Sequence, residues 1–470
     1  MLKPDPFLFF LFLAAYFALV LVAGFAFSRR MKSLEDFFLA SRRLSGGLVF
    51  LSLTAAWFGA TSILVSTDEA MKTGLSAFWL IGLPAVATVL ILAVFLTGPL
   101  RRLPIMTLPD LVELRYGRVV RHLTSLLIIW YMMMLAASQM VALGNFLQIF
   151  LGLPYFWSLA LGTAVVLAYS IFGGLRSVVL TDVIQFFLLA AGVVGLFIFL
   201  AHRASFSEIS RLASAADKSG YFNFFQNAKE NFLIALSFTL AWTISPIALQ
   251  RIQAARGDRA ARRGLAATAL TLFFLYVLVV FSGMLSLPLF KSQTLSHPLV
   301  SEIIAQKTGL VFGGILFVAV LAAIMSTMDT AINTGALSLA RDFYEQIFPS
   351  PKTRPVLVGR LATFVVGAGA LAIATRFQSI LKTIGLSSEI LAEGFFVPGI
   401  AMIYLKKRLP LAGLLSLSFG GGFAVLSFLA AMRALPLPLP AWPHSVPYGL
   451  GLSLFGFALG FALDLMRSRR

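Results

Sequence analysis

The sequence predicts an all-α bundle that crosses a membrane about 13 times. Three observations carry this. Apolar runs of roughly 18–25 residues recur along the whole chain, each long enough to span about 30 Å of hydrocarbon. Hydrophobic residues make up 59% of the 470 positions and charged residues 12%, with a mean hydropathy of +0.92. Finally, lipid offers backbone N–H and C=O groups no partner, so each run must satisfy its own hydrogen bonds as a helix.

The first run, 6–28, is too long for a signal-peptide core and lacks a small-x-small cleavage pattern. It is followed by Arg29 and Arg30, which hold the next loop in the cytoplasm and the N-terminus outside. The second run, 46–66, makes a poor continuous helix. Gly46, Gly47, Thr54, Gly59, Thr61, Ser62, Ser66 and Thr67 punctuate it, and Asp68 and Glu69 are expected to end it. A helix broken near the bilayer centre frees carbonyls that can coordinate a small cation. The same small residues also suit a face packed against other helices; both readings stand.

Runs follow at 76–98, 122–149, 155–173 and 178–201. Asp182 opens the last of these, either as a helix-start residue favoured by the dipole or as a functional acid. After 231–250 and 264–288 comes 310–340, which contains Leu321–Tyr344, LAAIMSTMDTAINTGALSLARDFY. Offsets of three and four residues place Ser326, Asp329, Thr330 and Asn333 on one face. Hydroxyls with a carboxylate form a hard-oxygen set suited to Na⁺ rather than to a transition metal. Ser and Thr can instead bond back to their own helix, a reading that a membrane-buried Asp329 resists. The last runs are 357–375, 383–405, 411–432 and 446–466. Glu389 and Glu393 in the third-last lie at membrane depth, lining a polar cavity or with Glu389 paired to Lys382.

With the N-terminus outside, 26 of the 37 Lys and Arg residues fall on cytoplasmic segments, and the C-terminus is also cytoplasmic. They include Lys32, Arg101, Arg176, Arg251, Arg256, Arg259, Lys352, Arg354, Lys406, Arg469 and Arg470. The net charge of +18 therefore reflects topology and attraction to anionic lipid, and not a nucleic-acid footprint. Cysteine is absent, which excludes disulfides and thiolate chemistry. The four histidines lie at run ends or in loops, and no phosphate loop, H-E-x-x-H or metal-ligand spacing is present. Nothing supports an enzyme.

The chain reads as one transmembrane unit over 1–470. Its longest non-membrane stretches are 202–230 and 341–356. The segment Arg251–Gly264 is expected to be a solvated basic linker, and Leu435–Pro447, with five prolines, a stiff loop.

Five segments resemble the sodium:solute symporter family. They are DFFLASRRLSGG (Asp36–Gly47), TLPDLVELRYG (Thr107–Gly117), YSIFGGLRSVVLTDVIQ (Tyr169–Gln185), LQR (Leu249–Arg251) and AAIMST…DFY (Ala322–Tyr344). The resemblance implies a LeuT-type core of two inverted five-helix halves over 46–405. An extra helix at 6–28 precedes it and two C-terminal helices at 411–466 follow. It also implies a Na⁺ site from the carbonyls of Ala55, Phe58 and Ala323 with the hydroxyls of Ser326 and Thr327. A second cation or proton site would use Asp182, Ser326, Asp329 and Thr330, Asp329 standing where some family members carry a hydroxyl. Solute contacts would fall on Thr61, Ser62, Trp242 and Ser245. The implied activity is Na⁺-coupled import of a small organic solute by alternating access, with no cofactor. Competing readings are a proton-coupled carrier on the same fold and a transport-derived membrane sensor.

Overall fold

The computed structural model describes residues 6–25, 33–103, 105–215, 218, 220–290, 295–347, 355–377, 379–432 and 434–468. Arg29, Arg30, Lys32, Lys352, Arg354, Arg469 and Arg470 lie outside the described residues. Among those described, eleven helices are long and apolar enough to cross a membrane, and one shorter apolar helix, Gly46–Trp57, accompanies them. The only β pairing found there is a single bridge between Leu44 and Ala255.

In chain order the main elements begin with α1 (Pro6–Phe25), α2 (Gly46–Trp57), the run α3 (Thr61–Arg101) and α4 (Arg118–Leu151). Next come α5 (Tyr155–Ala201), α6 (Ala228–Thr243), α7 (Pro246–Ala254) and α8 (Asp258–Leu285). The chain ends with α9 (Leu310–Leu337), α10 (Pro355–Ala374), α11 (Ile380–Tyr404), α12 (Pro410–Ala431) and α13 (Val446–Ser468).

Three breaks shape the bundle. A straight α5, 47 residues long, would measure about 70 Å, more than two bilayer cores. It is interrupted at Gly174, where φ is 53° and ψ −152° and a side chain would strike the Phe37 carbonyl. On either side of that glycine, Tyr169 and Thr181 reach the same oxygen, Asp329 Oδ2, at 2.6 and 3.5 Å. A straight helix would separate the two residues by about 18 Å, so the chain doubles back here.

The second break parts α2 from α3 at Phe58 and Gly59. Asp68 and Glu69 do not end this run as expected. They lie in the first turn of Ser66–Thr73, so the helix continues past them. The third break parts α6 from α7, and it overturns the continuous 231–250 helix read from hydropathy. Ile244 (φ −104°, ψ 16°) and Ser245 (φ −64°, ψ 129°) leave the helix before Pro246 starts α7. Proline lacks an N–H and pushes its predecessor out of the α region, while the flanking residues remain apolar enough to hide the interruption.

α9 lies at the centre, packed on α2, α4, α5 and α10, and its polar residues from Ser326 to Thr334 are buried. The outer helices are mostly exposed and apolar, with Val22 on α1 and Phe455 on α13 pointing outward, as a lipid-facing surface requires.

Candidate ion and solute site

At the end of α2, Phe58 adopts φ −100° and ψ 74° and turns its N–H back to the carbonyls of Thr54 and Ala55, at 3.1 and 3.3 Å. The helix does not restart until Ala60, whose N–H donates to Gln139 Oε1 at 2.9 Å. The break needs a glycine. A Cβ on Gly59 would sit 2.6 Å from Thr327 Oγ1 and 2.7 Å from Gln139 Oε1. That close approach presses the broken strand of backbone against α9.

α9 meets the break with hydroxyls. Ser326 Oγ donates to the Ala55 carbonyl at 2.9 Å and lies 3.1 Å from the Ala323 carbonyl. Thr327 Oγ1 lies 3.4 Å from the same Ala323 oxygen. The five residues implied for the Na⁺ site thus form a chain of contacts, with Ser326 joining the Ala55 and Ala323 carbonyls, Thr327 on Ala323 and the buried Phe58 on Ala55. The set is neutral and entirely oxygen, the chemistry of a weakly held hard cation.

The acids sort differently from expectation. Asp182 Oδ2 accepts from Ser52 Oγ at 2.5 Å and from Arg251 Nη2 at 3.3 Å. The same Nη2 donates to Thr330 Oγ1 at 2.7 Å, so a guanidinium stands between Asp182 and Thr330. Arg251 also donates to Ser52 and Gln250 and is fully buried. Its expected place on a solvated cytoplasmic linker is therefore corrected. An isolated buried arginine is costly, and its position follows from Asp182, 69 residues earlier in the chain. Asp329 takes the Tyr169 hydroxyl at 2.6 Å, and its Oδ1 has no partner.

A small cavity lies beside the break, with free volume of roughly 40 Å³, room for two or three waters and no more. Thr61, Ser62, Trp242 and Ser245 all line it, as does Thr327. Ser62 shares a hydrogen bond of 2.6 Å with the Tyr276 hydroxyl. Trp57 and Trp242 meet edge to face with centroids 6.2 Å apart. Tyr131 and Gln139 line the cavity as well and were missed from sequence. Gln139 carried a signal, as an amide inside an apolar run; Tyr131 carried none. Among the described residues, no charged side chain lines the cavity. Asp68 instead accepts the Leu299 N–H at 2.6 Å, and Glu389 bonds to serines rather than to Lys382.

The sodium:solute symporter family model matches residues 37–419. A sodium/proline symporter of Staphylococcus aureus is 27% identical over 467 residues, covering 91% of this chain and 86% of the relative. The sodium/proline symporter of S. aureus strain Newman is 27% identical over 468 residues, with the same coverage. A solved structure of a Na⁺-coupled sialic acid symporter, substrate-bound and outward-open, aligns with a TM-score of 0.80 at 19% identity, covering 97% of both chains. A nucleobase–cation symport-1 family transporter, closed around bromovinylhydantoin, aligns at 0.54 with 16% identity, covering 91% of this chain and 94% of its own. What the chain shares with these two structures is the fold.

Proposed function

The chain belongs to the sodium:solute symporter family, and on that premise we propose that it imports a small organic solute together with Na⁺ by alternating access. It is a multi-pass protein of the cell inner membrane and a transporter, not an enzyme, and Na⁺ is the family's coupling ion. The observation that carries the finer reading is the contact of Ser326 with the Ala55 carbonyl across the break in α2. A cation held by Ala55, Phe58, Ala323, Ser326 and Thr327 ties that break to α9 and completes the solute cavity between Thr61, Ser62, Trp242 and Ser245. Rocking of the two halves then exposes ion and solute to the cytoplasm. A membrane potential adds about 2.3 kcal/mol per charge per 100 mV to the inward step.

The architecture proposed is a LeuT-type core over 46–405, preceded by one helix and followed by two. Counting α2 with the start of α3 as one crossing, and α5 as two, gives about 13 crossings with the N-terminus outside and the C-terminus inside. The named relatives are sodium/proline symporters, which puts small zwitterionic amino acids first among the solutes to test; the uncharged cavity wall suits a solute without net charge. A second reading is favoured by Asp329, whose Oδ1 is buried without a partner. It is the residue that would bind a second cation or a proton, beside Asp182 and Thr330, which Arg251 bridges to each other.

Uptake into proteoliposomes tests both. Accumulation of radiolabelled proline or another amino acid under a Na⁺ gradient, absent under an equal K⁺ gradient, is expected. Accumulation driven by a proton gradient in K⁺ and lost in Asp329→Asn would move the coupling to the second reading.

A further inference from the structure

Away from the ion and solute residues, α11 carries Glu389 and Glu393 one turn apart, both fully buried. They face the two C-terminal helices and the loop between them. Glu389 Oε1 accepts from Ser427 Oγ at 3.0 Å and from Ser445 Oγ, and the Ser445 hydroxyl also lies beside Glu393. Glu389 Oε2 and both oxygens of Glu393 have no hydrogen-bond partner.

Among the described residues, no basic group on the packed elements bonds to them. Arg121 is held by Asp110, Glu113 and Asp342, with Arg118 also on Glu113. Arg115 donates to the carbonyls of Met402 and Lys406, and Arg101 donates to those of Ile252 and Gln253 and pairs with Asp258. His444 meets Glu230. Among the described residues, neither glutamate bonds to Lys72, His122, Lys229, Lys382 or Arg467. The remaining acids are also elsewhere, Asp464 accepting the N–H groups of Leu411 and Ala412. Of the tyrosines, Tyr116 donates to the Pro398 carbonyl and Tyr131 lines the solute cavity; Tyr448 bonds to neither glutamate.

Two ionised carboxylates in such a seam would be severely penalised, so positive charge must reside there. Among the described residues no group of three or more His, Cys, Asp or Glu gathers there to hold a metal ion, and the seam is closely packed. A side chain at Gly449 would overlap Glu393 Oε2, and one at Gly420 would overlap the Glu393 carbonyl. A proton needs no cavity.

We propose that Glu389 and Glu393 form a proton-binding pair at the joint between α11 and the C-terminal helices, separate from the Na⁺ and solute sites. Hydronium or a buffer acid in the bulk solvent supplies the proton, leaving water or the buffer's conjugate base behind, and the proton bonds to a carboxylate oxygen. The entry point is the loop end of the seam, where His444, next to Ser445, is 52% exposed. Loss of the proton leaves adjacent charges between α11, α12 and α13 and loosens the grip of the C-terminal helices on the core.

Infrared spectroscopy of the purified full chain in KCl, with thermal unfolding followed across pH, tests this. The wild type is expected to show a protonated-carboxyl carbonyl band at neutral pH. That band should weaken in Glu393→Gln and in Glu389→Gln, and vanish in the double variant if Asp182 and Asp329 are ionised. The neutral glutamines mimic the protonated state, so both variants should keep their Tm at alkaline pH where the wild type loses it. Equal alkaline loss in wild type and variants, or a band unchanged by either substitution, would overturn the proposal. So would a band abolished by NaCl together with a Tm gain that the glutamine variants lack, since that places a metal cation at the pair. Na⁺-dependent stabilisation through Ser326 is read separately in the same samples and should survive in both variants.

Discussion

Ser326 and Thr327 are buried hydroxyls that, among the described residues, bond only to the backbone carbonyls of Ala55 and Ala323. A cation would replace hydrogen bonds that the two residues can give up. Ser326→Ala should therefore cost about 1.5–3 kcal/mol of cation binding, by analogy with a polar contact to a charged group. The half-saturating Na⁺ concentration in transport or stabilisation should rise about tenfold or more; an unchanged value would remove Ser326 from the site. Arg251 makes the opposite kind of prediction. Arg251→Met strands the buried Asp182 and should cost about 3–5 kcal/mol of stability, read as a lowered unfolding temperature. Arg251→Met with Asp182→Asn should recover most of that loss. If the single variant is as stable as wild type, the ion pair does not hold the core together. Ser326 is legible in the sequence because hydroxyls and a carboxylate crowd one face of an apolar helix, whereas Thr327 is singled out only by the family resemblance. The burial of Arg251 is not legible there, because charge counting treats an arginine after an apolar run as interfacial, and its partner is fixed only by the fold.

At the scale of elements, the breaks decide where chemistry can sit. The break in α2 is readable from its glycines and hydroxylated residues, and the reversal within α5 from the separate apolar runs at 155–173 and 178–201. The break before Pro246 was passed over because the apolar run continues on both sides. Gly174→Ala forces a Cβ into a positive-φ conformation essentially confined to glycine, costing about 1–3 kcal/mol, and adds an overlap with the Phe37 carbonyl. A drop in unfolding temperature larger than that of Gly422→Ala, where nothing lies within 4 Å of an added Cβ, is the expected result. Gly59→Ala should act on function more than on stability. The added methyl pushes Thr327 and Gln139 from their places and should abolish Na⁺-dependent uptake, while the protein still purifies as a folded monodisperse species. Wild-type uptake in Gly59→Ala would mean that the contact between the break and α9 is dispensable.

For the whole molecule, length and hydropathy distinguish eleven long apolar helices among the described residues; under the proposed architecture, the doubling back of α5 and the short halves of broken helices would bring the crossings to about 13. Continuous helical geometry hides reversals that a run-by-run reading of the sequence separates. The orientation is testable because the chain has no cysteine. In right-side-out vesicles, Ser207→Cys in the 202–230 stretch should react with an impermeant maleimide, and Arg259→Cys should react only after permeabilisation; the reverse pattern would invert the topology. The central claim is that Na⁺ bridges the break in α2 to α9. Its most direct test is the unfolding temperature of the purified protein in NaCl against equal KCl or choline chloride, with wild type, Ser326→Ala and Thr327→Ala side by side. A Na⁺-specific rise in the wild type that both variants lose is the predicted result. A wild type indifferent to Na⁺, or variants that keep the rise, would contradict it.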